Sequence, residues 1–158
     1  QHRACCDARR GDADTPTAPY GRATVHGDAE GVRDATLPLP ADLAAAVRRT
    51  ARAAGASAAS LMHLAWALVL ARASGRARVV FGTVLFGRMK PAARDAMGLF
   101  INTLPLRVRI DPSQSLTAML QAVRETQLAL RPHEQTALMD VQAVADVSFT
   151  AADGRILG

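Results

Sequence analysis

Aromatic side chains are scarce in this chain, and lysine is nearly absent. Aromatic residues make up 4% of the 158 residues, and they do not alternate with basic ones. Nucleic-acid grooves combine aromatic platforms with cationic side chains, so the formal charge of +5 favours dispersed surface arginines over a nucleic-acid site. Only Lys90 among the 19 basic residues is a lysine. The excess positive charge leaves open the docking of an acidic partner.

The chain is also poor in cysteine and in long apolar runs. Cys5 and Cys6 are neighbours, and adjacent cysteines close no useful loop, which excludes a disulfide framework. His2 and Asp7 lie nearby, but no second ligand pair occurs at a usable spacing, so we predict no metal site. The longest apolar run is too short to span a bilayer, and no signal-peptide pattern is present. We therefore expect a cytoplasmic protein that binds neither membrane nor nucleic acid.

No self-sufficient catalytic motif occurs. The sequence has no G-x-S-x-G elbow, no glycine-rich phosphate loop, no H-E-x-x-H and no Cys-x-x-Cys pair. His2 lies among the first residues of the chain. For His26 a chance surface position is favoured over a catalytic His-x-Asp pair. His63 lies in an apolar helical pattern, where a core hydrogen bond is favoured over a general base. For His133 a capping or turn role is favoured over catalysis.

Hydrophobic periodicity begins only after the first 36 residues. Residues 1–36 are rich in Asp, Arg, Gly and Pro, and apart from a possible short strand at 22–26 we expect a poorly ordered or divergent lead-in. Pro40 begins an amphipathic helix with apolar residues at helical spacing. Ser57 caps a second helix that ends near residue 73 and is apolar nearly all round, so we expect it to be buried.

Strands and further helices follow. Residues 79–86 are β-branched and aromatic, which predicts a buried strand. Residues 100–110 alternate apolar and polar side chains in their second half, and Pro105 there indicates an edge strand or a bulge. The remaining predicted segments are a polar loop at 89–96, a third helix at 116–130, a fourth helix at 136–145, and a divergent or truncated tail at 146–158. The fold class is therefore α/β, with helices packed on a sheet.

Three motifs in order carry a family resemblance. The stretch V-V-F-G-T-V-L-F-G-R at 79–88 resembles the fourth core motif of condensation domains from nonribosomal peptide synthetases. The stretch M-G-L-F-I-N-T-L-P-L-R at 97–107 resembles the fifth, with a single step from Met to Gly, and H-E-Q-T at 133–136 resembles the opening of the sixth. Residues 61–75 are similar to the long buried helix of the family. The resemblance covers about residues 39–142.

This resemblance implies a chloramphenicol-acetyltransferase-like fold, of which residues 37–145 would be the C-terminal lobe. In the family, two lobes enclose a tunnel, and two carrier proteins deliver thioesters to it on phosphopantetheine arms. The acceptor amine attacks the donor carbonyl with help from the second histidine of an H-H-x-x-x-D-G motif in the N-terminal lobe. This sequence contains no such motif. The resemblance thus implies an incomplete condensation domain that is inactive alone and binds no cofactor directly. Its partners would be carrier proteins, the N-terminal lobe and an adenylation domain.

The resemblance assigns structural rather than catalytic roles to the motif residues. Residues between Arg88 and Gly98 would form the floor loop, and Arg88 would bond across the lobe boundary. Asn102 and Thr103 either satisfy backbone groups that Pro105 leaves unpaired, which we favour, or shape the tunnel wall near the thioester. The residues assigned to the tunnel, the floor loop and the structural motifs are Gly87, Arg88, Gly98, Asn102, Thr103, Pro105 and His133.

Two alternative functions stay open. The chain could be a non-catalytic module that docks carrier proteins or completes a separate lobe. It could also be a related acyltransferase that uses a carrier or coenzyme A thioester, for which His63 and His133 are poor candidates. Both ends of the chain depart from the family pattern, as in a truncated gene product or a divergent domain boundary.

Overall fold

A computed structural model describes residues 17–21, 35–86 and 101–134. Its main elements are α1 (Ala41–Ala53), α2 (Ala58–Ser74), β1 (Arg78–Phe86), β2 (Ile101–Arg109) and α3 (Leu116–Leu130), with short 3-10 turns at Pro19–Gly21 and Arg131–His133. This order confirms the predicted helices and strands within the described residues. The predicted strand at 22–26, loop at 89–96, helix at 136–145 and tail at 146–158 lie outside them.

Side-chain caps and a glycine set the helix ends. The Ser57 hydroxyl accepts a hydrogen bond from Ser60 N at 3.0 Å, and the Ser115 hydroxyl accepts one from Ala118 N at 3.1 Å. Each bond satisfies an amide that has no partner inside its helix. Gly75 ends α2 with a φ of 67°, a left-handed conformation that glycine adopts without steric cost.

The two strands form an antiparallel pair with continuous register from Arg78 opposite Arg109 to Phe86 opposite Ile101. One position beyond the Arg78–Arg109 pair, Ile110 N donates to Ala77 O at 2.7 Å, so these two residues form a hydrogen-bonded pair. Hydrogen-bonded and non-bonded pairs alternate along such a ladder, so Gly82 and Pro105 form a non-bonded pair. The N–H that Pro105 lacks would therefore point away from β1. Among the described residues no strand pairs with this outer side of β2, which agrees with the predicted edge position, and the register contains no bulge.

The core lies between one face of the sheet and two helices. Val79 of β1 and Leu106 of β2 are fully buried, as is Ala67 of α2. The remaining core side chains come from α2, β2 and α3: Leu64, Leu70, Leu104, Val108, Met119, Leu120, Val123 and Leu130. Thr17 lies at the outer edge of β1, where Val80 N donates to Thr17 Oγ1 at 2.9 Å, and the turn Pro19–Gly21 contacts α2. The described fold is thus a sheet layer covered by a helix layer on one side.

The prediction that α2 is buried all round is wrong for one of its faces. Met62 is 46% exposed, Trp66 51% and Val69 54%, although Leu64 and Ala67 are buried. The helix packs on the sheet and on α3 through its buried side, since a helix lying on a sheet contacts it along one stripe. By contrast, α1 is amphipathic as predicted, with Arg48 and Arg49 exposed. Among the described helices none could span a membrane by itself, and α1 with α2 meets the length and composition test only as a pair bent by 103°.

Candidate functional site

The sheet has a second face that the described helices do not cover. Because side chains alternate along a strand, cross-strand partners share a face. The residues opposite the helix layer form what we call the open face: Arg78, Val80, Gly82 and Val84 of β1, and Ile101, Thr103, Pro105, Arg107 and Arg109 of β2. Val84 is 46% exposed there. Thr103 and Pro105, two of the predicted site residues, therefore lie together on this face.

Gly82 permits a close approach on the open face. A Cβ at this position would lie 2.8 Å from Thr103 Cγ2, which is shorter than an ordinary carbon–carbon contact. The absence of a side chain thus lets the Thr103 methyl group lie against the β1 backbone. A glycine inside a strand pattern is itself a sign of such a close approach.

Asn102 lies on the other side of the sheet from Thr103. Its Nδ2 donates to the backbone oxygen of Glu134 at 2.9 Å, which ties the start of β2 to the turn after α3. This bond was not predicted, and the hydrogen bond expected between Asn102 and backbone groups near Pro105 stays a prediction. Pro105 creates no vacancy in the ladder to compensate, because its nitrogen is on the outer edge.

His133 is brought close to Asn102 by the same turn. It ends the 3-10 turn Arg131–His133, is half-buried, and directly precedes Glu134, whose N–H donates to Arg131 O at 3.3 Å. The turn role of this residue is confirmed, whereas its capping role stays a prediction. Gly87, Arg88 and Gly98 lie outside the described residues, so the floor loop that they belong to stays a prediction as well.

His63 lies in a polar network between α2, β1 and α3. Its Nδ1 is 2.6 Å from Ala59 O, and its Nε2 is 2.9 Å from Thr83 Oγ1. Two contacts meet at Nδ1: the Ala59 carbonyl only accepts, whereas the Gln127 amide nitrogen, 3.2 Å away, only donates. The shorter contact favours a proton on Nδ1, and Nε2 then accepts from the Thr83 hydroxyl. The predicted core hydrogen bond at His63 is confirmed. Since Thr83 is 4% exposed and faces the helices, this histidine lies on the opposite side of the sheet from the open face.

Three further side chains, Gln127, Ser60 and Ser57, extend the network from His63 towards the start of α2. Ser60 Oγ donates to Gln127 Oε1 at 2.6 Å and lies 2.9 Å from the Ser57 hydroxyl. The Phe81 ring stacks on His63 with centroids 5.9 Å apart. Ser60 is 2% exposed, so its hydroxyl needs such partners. These contacts join both helices to β1 in the interior, as expected of a structural role.

Electrostatic features are concentrated near one end of the open face. Arg78 lies opposite Arg109 in the register, and the Arg109 guanidinium is 3.9 Å from an Asp111 carboxylate oxygen. Hydrogen bonds from the Ser113 hydroxyl and then the Ser113 amide, with a smaller contribution from Arg109, lower the pKa of Asp111. No cluster of His, Cys, Asp and Glu that could hold a metal ion occurs within the described ranges. The described open face presents an uncovered sheet surface with the Thr103 hydroxyl and arginine side chains, but it has no histidine, cysteine or carboxylate.

Comparison with known proteins identifies the fold and the family. A model of the condensation domain matches residues 21–152, which is wider at both ends than the motif resemblance. Malpinin synthetase of Mortierella alpina is 45% identical over 148 residues, covering 92% of this chain. Bacitracin synthase 3 of Bacillus licheniformis is 31% identical over 123 residues, covering 77% of this chain. In each case the matched part is 2% of the relative's length.

A solved structure agrees with these sequence matches. The first condensation domain of the calcium-dependent antibiotic synthetase, in complex with a substrate analogue, superimposes with a TM-score of 0.76 and 28% identity. The superposition covers 96% of this chain and 34% of that one. The predicted chloramphenicol-acetyltransferase-like fold is thereby supported. The chain belongs to the condensation-domain family of nonribosomal peptide synthetases.

Proposed function

We propose that the chain is the C-terminal lobe of a condensation domain and supplies scaffold and tunnel wall, but not the catalytic histidine. The observation that carries this proposal is the open face. It holds the predicted site residues Thr103 and Pro105 on an uncovered sheet surface, and it includes no acid–base side chain among its described residues. Such a surface can contact a substrate and hold it in place, but it has no group that could take a proton from an attacking amine.

The histidines of the sequence support the same division of labour. None of the four is adjacent to another, so an H-H-x-x-x-D-G motif must come from another polypeptide segment. His63 uses both ring nitrogens inside the fold, through Ala59 and Thr83. It is therefore unsuited to act as a base on the open face. Amide-bond formation by this chain would depend on a second lobe that faces Thr103.

The partners follow from this role. We propose that carrier proteins present donor and acceptor thioesters on phosphopantetheine arms at the two ends of the tunnel, and that an adenylation domain loads them. The chain itself would bind no cofactor. Its open face would contact the arm or the aminoacyl group only when the second lobe encloses the tunnel.

Activity measurements with defined carriers test the proposal. The purified chain, mixed with donor and acceptor aminoacyl carrier proteins, should form no dipeptide. For the experiment in which activity is expected, this chain is put in place of the superimposed 34% of the first condensation domain of the calcium-dependent antibiotic synthetase. We call the product the hybrid domain. The hybrid domain should form the amide bond, and replacing the second histidine of its H-H-x-x-x-D-G motif with alanine should abolish the reaction. Dipeptide formed by the chain alone, or a folded but inactive hybrid domain, would contradict the proposal.

The positive charge favours a second candidate, a docking module without catalytic function. The formal charge is +5, and a net positive charge attracts an acidic partner. A pull-down with carrier proteins distinguishes the two. Carrier binding by the isolated chain, together with an inactive hybrid domain, would favour the docking module.

A further inference from the structure

The open face has an arginine end and an apolar end. Its arginines lie towards the Arg78–Arg109 pair. The other side chains described on this face are those of Val80, Val84, Ile101, Thr103 and Pro105. Thr103 carries the one polar group among them. Sites for small molecules have this composition, with a largely apolar wall and a few polar groups at fixed places.

The contact with Gly82 fixes the orientation of the Thr103 side chain. Thr103 Cγ2 lies 2.8 Å from the point that a Cβ of residue 82 would occupy, so the methyl group fills the place of the missing side chain. Threonine is β-branched and its χ1 angle takes staggered values, so Oγ1 occupies one of the two other positions on Cβ. Neither of these positions points at Gly82. The hydroxyl is therefore directed away from this part of the β1 backbone.

The Thr103 hydroxyl is not used inside the described part of the fold. Thr17, Thr83 and Thr126 each make a hydrogen bond through their hydroxyl, whereas Thr103 has none within residues 17–21, 35–86 and 101–134. In the same ranges no buried side-chain oxygen lacks a partner, so Thr103 Oγ1 is accessible from outside. A hydroxyl that is held in one orientation with its donor unused can bond to a group that arrives from outside.

We propose that Thr103 Oγ1 donates a hydrogen bond to a carbonyl oxygen of the carrier-bound substrate, and that Gly82 is a positioning residue for this hydroxyl. The inference rests on the proposed function, which places the open face on the wall of the tunnel. The substrate has suitable acceptors, since the thioester and the amides of the phosphopantetheine arm each contain a carbonyl oxygen. The apolar surroundings favour a neutral carbonyl, because burying an ammonium group there would carry a large desolvation cost.

The orientation of Thr103 can be measured in the chain itself. Three-bond couplings from Thr103 Cγ2 to its backbone nitrogen and carbonyl carbon report the χ1 angle, and they should show one rotamer in the parent chain. In Gly82→Ala these couplings should change, because the new methyl group takes the place of Cγ2. Averaging over several rotamers in the parent chain would overturn the positioning role of Gly82.

Binding of stable probes tests the hydrogen bond. The probes are an aminoacyl-pantetheine in which an amide NH replaces the thioester sulfur, and pantetheine alone, each titrated calorimetrically into the hybrid domain. Thr103→Val keeps the shape and removes the hydroxyl, so it should raise the dissociation constant about three- to tenfold with the melting temperature within a few degrees of the parent. A loss with both probes would identify an amide of the arm as the acceptor. A loss with the aminoacyl probe alone would identify the carbonyl of the reacting acyl group.

Three further variants separate positioning from general damage. Thr126→Val makes the same replacement on α3, at a hydroxyl that bonds to its own helix, and should leave the dissociation constant unchanged. Gly82→Ala should weaken binding about as much as Thr103→Val, because it displaces the hydroxyl. Gly82→Ala/Thr103→Ser should restore most of the affinity, because serine has no methyl group to meet the new Cβ.

Each remaining outcome decides the inference. A folded hybrid domain that binds neither probe would overturn it, as would a Thr103→Val variant that binds both probes as tightly as its parent. Probe binding that weakens in Thr103→Val, without dipeptide formation by the hybrid domain, would contradict only the proposed function. Dipeptide formation with probe binding that is indifferent to Thr103→Val would contradict only this inference. A hybrid domain that fails to fold, although the domain it was made from folds, would count against both.

Discussion

At the scale of single residues, the Gly82–Thr103 contact yields a specific stability prediction. In Gly82→Ala the new methyl group would meet Thr103 Cγ2 at 2.8 Å, so one strand or side chain must shift. Overpacking of this kind costs about 1–3 kcal/mol. Urea unfolding should show a loss in that range for Gly82→Ala.

A second substitution identifies the clash as the cause. Thr103→Ser keeps the hydroxyl and removes the Cγ2 methyl group. The double variant Gly82→Ala/Thr103→Ser should therefore recover most of the lost free energy of unfolding. If the two changes are simply additive, the contact is not responsible.

The Thr83–His63 hydrogen bond can be removed with almost no change of shape. Thr83→Val leaves His63 Nε2 without the hydroxyl that now lies 2.9 Å away. Because Thr83 is buried, we expect a loss of about 1–2 kcal/mol in the free energy of unfolding. Thr126→Val is the matched control, since the Thr126 hydroxyl only bonds back to Ala122 O in its own helix. Equal losses in both variants would show that the His63 contact contributes nothing specific.

The orientation of His63 is itself testable. A proton on Nδ1, directed at Ala59 O, is favoured by the 2.6 Å contact over the 3.2 Å contact from the Gln127 amide nitrogen to the same atom. Nitrogen-15 correlation spectra of the imidazole at neutral pH should therefore show the Nδ1–H tautomer. The Nε2–H tautomer would mean that Thr83 accepts rather than donates and that the Ala59 contact is not a hydrogen bond.

At the scale of elements, the turn between β2 and α3 contains a pH-dependent contribution to stability. Asp111 accepts from the Ser113 hydroxyl at 2.6 Å and from the Ser113 amide at 3.0 Å, and these bonds lower its pKa from the usual value near 3.8. A carboxyl whose pKa is lowered by folding stabilises the fold above its unfolded pKa, and this stabilisation disappears as the pH falls through the folded value. The difference in stability between the parent and Asp111→Asn should therefore be constant at neutral pH and shrink in acid.

Ser113→Ala provides the check on this mechanism. It removes the largest cause of the lowered pKa and keeps the Asp111 carboxylate. Unfolding in urea from pH 7 to acid should show a weaker acid-dependent loss in Ser113→Ala than in the parent. An unchanged profile would place the acid sensitivity elsewhere in the chain.

Local signals were sufficient to predict the elements, but not their contacts. Ser57 and Gly75 marked both ends of α2, and Pro105 marked an edge, because caps and missing amides act on neighbouring residues. Which side of α2 is buried was not predictable. The helix is apolar nearly all round, so its polar residues do not mark a solvent-exposed side. The bond from Asn102 to the Glu134 carbonyl, 32 positions along the chain, was not predicted. Such a contact depends on how β2 and α3 pack.

At the scale of the whole molecule, the sheet separates structural from surface residues. Asn102 and Thr103 are neighbours in sequence, and one motif suggested a shared role. Their side chains lie on opposite faces, with Asn102 bonded to the turn after α3 and Thr103 on the open face beside Gly82. Strand alternation was sufficient to separate them in principle, but which face the helices cover follows only from the packed core. The open face is therefore the place to look for effects on the reaction, and the helix side for effects on stability.

This separation predicts different outcomes for two variants of the hybrid domain. Val84→Trp adds bulk on the exposed part of the open face, so it should lower dipeptide formation while leaving the melting temperature within a few degrees of the parent. Asn102→Ala removes the bond to Glu134 O, so it should lower the melting temperature, with activity per folded molecule largely retained. Arg49→Glu on the exposed side of α1 serves as the control and should change neither. Steady-state kinetics beside thermal unfolding would measure both properties. If Val84→Trp is as active as the parent, the open face does not line the tunnel.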